Sequence, residues 1–207
     1  MRRDDTLECV FVFDLLALLG ELELYDMFDD CLEHIFLSPK VIKLGQDLAS
    51  DMMELHASYP RCQTFKKMRC LVEVNALHKQ LVIDEPRMVG LKKLVLHYLD
   101  KTLSKEEQMS NWGWRPLTES QENYAICDAL VLLRLYDDMM DRIKIASERS
   151  KPFLIDDVAK EVDAVAMWAK AVAKKEKKRE KMLAKRARKQ AAAAAAREES
   201  RKKRRHN

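Results

Sequence analysis

Tyr124 and Asp128 stand four residues apart in Tyr124-Ala-Ile-Cys-Asp128. In a helix that spacing puts a phenol and a carboxylate on one face. A carboxylate is a hard oxygen ligand suited to Mg²⁺ or Mn²⁺, and a neighbouring phenol can orient a water. A surface pair with no chemistry accounts for the same spacing. A second carboxylate, Asp51, lies in Lys43-Leu-Gly-Gln-Asp-Leu-Ala-Ser-Asp51, directly after a strand-like run and Gly45. It falls in the first turn of the expected helix, where the helix dipole stabilises acids, so a structural role is its alternative. The five histidines show no HxxxH or HExxH spacing and read as surface or packing residues.

These residues need elements to position them. Thr118-Glu-Ser-Gln121 fits a capping box that starts a helix running to about Ile145 and carrying Tyr124 and Asp128. Upstream, Cys9 to Phe13 reads as a buried strand, Leu24 to Phe36 as a helix broken at Ser38-Pro39, and Lys40 to Leu44 as a second strand. Asp47 to His56 reads as a helix, Met68 to Val74 as a third strand and Pro86 to Leu99 as another helix. Thr102 to Pro116 is a loop holding Trp112 and Trp114, which either pack or stack on bases. Asp156 to Ala173 has helical apolar spacing. Strands alternating with helices point to an α/β fold.

The charge is unevenly placed. Residues 174–207 hold 16 Lys and Arg against 4 acids, whereas the first 173 hold 22 against 30. An acidic body thus carries a basic tail, read as a long exposed helix or as disorder. Within it, Arg201, Lys202, Lys203, Arg204 and Arg205 form a dense cluster suited to nucleic-acid phosphates or to a nuclear address, with a solubilising terminus as the plain alternative. Five cysteines without CxxC spacing read as reduced thiols in an intracellular protein. The apolar run Val10 to Leu19 contains Asp14 and falls short of the roughly 20 residues that span a bilayer, so no membrane partner is expected.

Taken in order, these segments resemble the 3′→5′ exonuclease domain of the DEDD superfamily, which includes ribonuclease D, the Werner syndrome exonuclease and Mut-7-like proteins. Lys40 to Asp51 resembles its second motif. Gly90 to Leu99, Lys105, Gln108, Ser110-Asn-Trp112 and Arg115-Pro-Leu-Thr-Glu resemble the approach to its third motif. Tyr124-Ala-Ile-Cys-Asp128 resembles that motif in its tyrosine form. The resemblance implies a ribonuclease H-like exonuclease fold over residues 1–148, with an incomplete mixed sheet flanked by helices, an amphipathic helical extension over 149–173 and the basic tail over 174–207. It further implies phosphodiester hydrolysis at RNA or DNA 3′ ends by two Mg²⁺ or Mn²⁺ ions held by four carboxylates. Asp128 would then bind the metal that positions the water, Tyr124 would orient the water, and Asp51 would hold the second ion.

The sequence departs from that pattern at one place. The family's first motif, Asp-x-Glu on the leading strand, occurs nowhere in the chain. Two of the four ligands and two leading strands are therefore expected to be missing, leaving a sheet edge uncovered and activity impaired. The alternative is a catalytically dead nucleic-acid-binding protein of the same fold.

Overall fold

The computed structural model describes residues 9–82, 88–147 and 152–205, except for the side chains of Leu22 and of residues 191–205. The chain divides into two compact units, 1–164 and 165–207. The first holds a three-stranded mixed sheet in the order β1 (Lys43–Gly45), β2 (Lys67–Glu73), β3 (Lys160–Asp163). β1 pairs parallel to β2 with Leu44 opposite Val72, and β2 pairs antiparallel to β3 with Met68 opposite Val162. Around the sheet lie α1 (Leu15–Leu18), α2 (Leu22–Leu37), α3 (Leu48–Ser58), α4 (Val74–Leu81), α5 (Leu91–Leu99) and α6 (Glu119–Ser147). The second unit is the bulk of α7 (Ala164–Arg205). No described helix is long and apolar enough to cross a membrane.

Parallel strands need a crossover, and α3 supplies it between β1 and β2. Its start is tightly determined. A side chain at Gly45 would place a Cβ 2.3 Å from the Leu48 Cβ, so only glycine lets the helix begin this close to the strand. Asp47 adopts a left-handed backbone, φ 66°. The first amides of α3 are satisfied from β2: the Glu73 carboxylate accepts from Asp47 N at 2.7 Å, Leu48 N at 3.3 Å and Ala49 N at 3.2 Å. An anion at a helix N-terminus is favoured by the orphan amides and by the dipole. Lys160 of β3 lies 3.3 Å from the same carboxylate, so one buried acid joins all three strands to α3.

The other end of β1 is tied down by a cation. Lys43 Nζ donates to the carbonyls of Ile35, Ser38 and Val41 at 3.2, 2.8 and 2.8 Å, closing the C-terminus of α2. Burial holds its pKa below the usual lysine value. α2 packs on β2 through Phe28, whose ring meets Phe65 edge-on. Asp29 fixes the following loop by accepting from the Gln63 and Thr64 amides at 2.8 and 2.7 Å. The main core lies between the sheet and α4, α5 and α6, built on Val72, Val74, Leu77, Leu94, Val95, Tyr98, Leu135, Met139 and Ile143. Asn75 pins the approach to α5, donating to Val89 O at 3.0 Å and accepting from Val89 N at 2.9 Å.

Several expectations are met: the helices α2, α3 and α6, the third strand, the helical form of the tail and a mixed sheet flanked by helices. Others are corrected. Cys9 to Phe13 is not a buried strand. It pairs with no described strand, and Phe11 and Phe13 are 74% and 49% exposed. Extended backbone becomes a strand only where a neighbour offers amides and carbonyls; here Phe13 meets the Phe28 ring edge-on instead. The second strand starts at Lys43 rather than Lys40, because the carbonyl of Val41 turns to the Lys43 ammonium instead of to a ladder. The helix expected from Pro86 begins at Leu91, with Pro86 itself outside the described residues. The stretch Asp156 to Ala173 is not one helix, since Lys160–Asp163 pairs as β3. Its Val158, Val162, Val165 spacing imitates a helical stripe, and the free edge of β2 wins.

The cap on α3 is directly testable. Glu73→Ala should lower the unfolding free energy by about 2 kcal/mol, the scale of charge-assisted bonds to orphan amides. Glu73→Gln, which keeps an acceptor, should cost about half as much. Urea denaturation checks both, and a loss below about 0.5 kcal/mol for the alanine variant would remove this carboxylate from its structural role.

Candidate active site

α6 carries the pair, and its first turn is built by the expected capping box. Gln121 N donates to Thr118 Oγ1 at 3.2 Å, and Thr118 N donates to Gln121 Oε1 at 3.0 Å. The Gln121 side chain is buried and does a second task. Its Nε2 donates to Ser110 Oγ at 3.0 Å and to Asn111 O at 3.3 Å. The preceding loop is thereby fastened to the helix start. Trp112 donates from Nε1 to Glu107 O at 3.0 Å, and its ring lies 6.0 Å from that of Tyr124. Of the two readings offered for Trp112, packing beside the tyrosine is what the structure shows. Trp114 is 69% exposed.

Arg115 stitches this loop to the N-terminal segment. Its guanidinium forms a bidentate pair with Asp14, Nη2 donating to Oδ1 at 2.7 Å, and donates to the carbonyls of Trp112 and Trp114 at 2.8 Å each. Arg115 holds the Asp14 carboxyl well below the usual range, at about 2. Asp14 also caps α1 through Leu16 N. No sequence signal linked the two residues, which lie 101 positions apart.

The Tyr124 phenol and the Asp128 carboxylate are hydrogen-bonded to each other. Both are half-buried. Burial raises the Asp128 pKa above the ordinary carboxylate value, opposed by the bond from Tyr124. Burial, then the charge of Asp128, raises that of Tyr124, which therefore stays a neutral phenol at physiological pH. Such a group positions by hydrogen bonding and does not act as a base. A cleft of about 590 Å³ reaches Tyr124 along one face of α6, lined also by Ser104, Glu107, Glu119, Asn123 and Cys127.

Asp51 sits in the first turn of α3, as expected, and is exposed as a residue. Crowding around its carboxyl, then the charges of Asp47 and Glu73, raise its pKa. Asp51 and Asp128 are not among the charges that shift one another. The strand β1 that leads into α3 does meet α6: Leu44 of β1 and Val131 and Leu132 of α6 pack on the same buried cluster. The described residues gather no group of three or more His, Cys, Asp or Glu able to hold a metal ion. Asp51 and Asp128 alone do not make the four-carboxylate cradle that the resemblance implies.

Comparison with known proteins decides the family. The family model described as 3'-5' exonuclease matches residues 10–144, which include the capped helix, Asp51 and the Tyr124–Asp128 pair. The chain belongs to the 3′–5′ exonuclease family. Its relatives include the exonuclease mut-7 homolog of Homo sapiens, 30% identical over 141 residues, covering 61% of this chain and 16% of that protein. Ribonuclease D of Pseudomonas paraeruginosa is 31% identical over 127 residues, covering 60% of this chain and 30% of that protein. The chain thus spans less than a third of the length of these curated relatives. In fold it is similar to the Nibbler EXO domain of Aedes aegypti, with a TM-score of 0.51 at 21% identity over 69% of this chain and 64% of that one. It is likewise similar to ribonuclease D of Trypanosoma brucei, solved in complex with RNA U12, with a TM-score of 0.51 at 20% identity over 61% and 42% of the two chains.

The raised pKa of Asp128 has a stability consequence. Between the unfolded and folded pKa values the native state binds more protons than the unfolded chain, so stability contributed by this group is lost as pH rises through that window. At pH 7 the ionised Asp128 is a net burden, and at pH 3 it is not. Asp128→Asn should therefore raise Tm by roughly 1–3 °C at pH 7 and leave it nearly unchanged at pH 3. Differential scanning calorimetry at the two pH values reads the difference, and a lower Tm for the variant at pH 7 would contradict the assigned environment.

Proposed function

We propose that this chain works on nucleic-acid 3′ ends as a 3′→5′ exonuclease domain in which Asp128 and Tyr124 stand at the reacting phosphate. The observation that carries the reading is the hydrogen-bonded pair on a capped helix inside the family-matched region. Asp128 offers a half-buried carboxyl group whose pKa burial raises. Tyr124 remains protonated and donates its one O–H to that carboxylate, leaving the phenol oxygen to accept from a water. Trp112 and Gln121 hold the phenol and the helix start in place.

Divalent metal dependence is general to the family, and Mg²⁺ or Mn²⁺ would supply the charge neutralisation that phosphodiester hydrolysis demands. Asp128 and Asp51 are the residues we assign toward such ions. Two carboxylates leave hard divalent ions largely hydrated and loosely placed, so turnover by this chain is expected to be low. An intracellular setting, with Arg201–Arg205 as a nuclear address, belongs to the same reading.

The test is degradation of a 5′-labelled single-stranded oligonucleotide in Mn²⁺. The chain alone should give little shortening from the 3′ end. The chain fused behind the Asp-x-Glu-bearing strands of a family member should cleave at least about 100-fold faster, and Asp128→Asn in that fusion should return it to background. Robust cleavage that survives Asp128→Asn would show that other carboxylates do the chemistry. A fusion as inactive as the chain alone would leave binding without hydrolysis.

A further inference from the structure

From Ala173 to Gln190 every residue of α7 is exposed. Within that stretch the charges are sorted by face. At 3.6 residues per turn, the ten basic residues Lys174, Lys175, Lys177, Lys178, Arg179, Lys181, Lys185, Arg186, Arg188 and Lys189 fall within an arc of about 200°. Glu176 and Glu180 fall in the remaining arc with Leu183, Ala184 and Ala187. Sixteen residues from Lys174 to Lys189 rise about 24 Å along the axis. The result is a rigid rod with one cationic side, distinct from the Arg201–Arg205 cluster picked out by its density.

We propose that this face of α7, centred on Lys178, Lys181, Lys185 and Lys189, binds the phosphate backbone of a nucleic acid without reading its sequence. Lysine-rich surfaces neutralise phosphates and release condensed counterions, a sequence-independent source of affinity. The face carries no large aromatic on which bases would stack and no glutamine or asparagine to read adenine, and most of its cations are lysines. A membrane surface fits poorly. An interfacial helix needs a broad bulky apolar side opposite its cations, and here that side offers a single leucine among alanines and glutamates. The inference deepens the exonuclease reading, on which it rests for the partner's biological sense. Its chemistry stands on the charge pattern of α7 alone.

The experiment uses the full chain with EDTA present, so that no cleavage intervenes, and fluorescence anisotropy against single-stranded RNA and single-stranded DNA in a rising KCl series. One variant moves two charges across the helix without changing their number: Lys178→Ala and Lys185→Ala with Leu183→Lys and Ala187→Lys. Circular dichroism verifies that the helix remains. The expected result is several-fold weaker binding to both strands and a salt slope shallower by about 1.4, at ~0.7 per lost contact to a single strand. Unchanged affinity and slope would overturn the proposal, because binding would then answer to net charge only. A larger loss from neutralising Arg201–Arg204 would also overturn it, placing the contact in the terminal cluster. Binding to phosphatidylserine vesicles without binding to either oligonucleotide would do the same. Cleavage is read separately in the Mn²⁺ assay above: binding that moves with this face of α7, together with a fusion as inactive as the chain alone, sinks the exonuclease reading and leaves this one standing.

Discussion

The first unit depends on a single buried anion. Glu73 ends β2, caps the amides of Asp47, Leu48 and Ala49, and faces Lys160 of β3. A carboxylate buried without partners is costly, so this one is stable only while strand, helix and third strand are all in place. The requirement runs both ways. With Glu73 in position, α3 must begin where Gly45 allows it, and Asp51 must come in its first turn. The raised pKa of Asp51 comes first from burial of its carboxyl and then from the charges of Asp47 and of Glu73, which the cap brings to the helix start. The place where the sheet is locked is thus also a place where acids are crowded.

The start of α6 repeats the device with neutral groups. Gln121 satisfies an amide of its own helix and two acceptors of the loop before it. Polar groups of a buried side chain that are all engaged fix a loop more firmly than apolar contact would. Trp112 is held by that loop and lies against Tyr124, while Arg115 ties the same loop to Asp14. The phenol is therefore positioned from three directions before any substrate arrives. Preorganisation of this kind is what the proposed role asks of a neutral tyrosine whose proton is held by Asp128.

Much of this was legible in the sequence where the signal is local. The Thr118–Gln121 box, the Tyr124–Asp128 spacing and the α3 start after Gly45 are all statements about residues within one or two turns. The order of those segments carried the family. What escaped reading depends on distant partners. α4 has Val74, Leu77, His78 and Leu81 at helical spacing, but the strand run into Val74 masked its beginning. β3 has three charged residues in four and no period long enough to detect; it exists because β2 leaves an edge to pair. The Cys9 to Phe13 run erred in the opposite direction, with strand-like composition and no described strand beside it. The roles of Glu73 and Arg115 were invisible for the same reason: a cap or a bidentate pair across the fold has no spacing to recognise.

Charge distribution brings the two units into one argument. The first 173 residues carry 30 acids against 22 basic residues, and the cleft beside Tyr124 is lined by glutamates. Such a body repels a polyanion at long range, beyond the reach of any contact at the site. The repulsion is felt over roughly a Debye length, about 8–10 Å at physiological salt. The helix α7 bears ten cations on one side over about 24 Å, the opposite sign, and on the proposal above it is what holds the nucleic-acid strand. An acidic body suits the divalent cations of the proposed site and opposes the capture of a polyanion. On that reading the acidic residues and the basic helix divide two opposed electrostatic tasks between them.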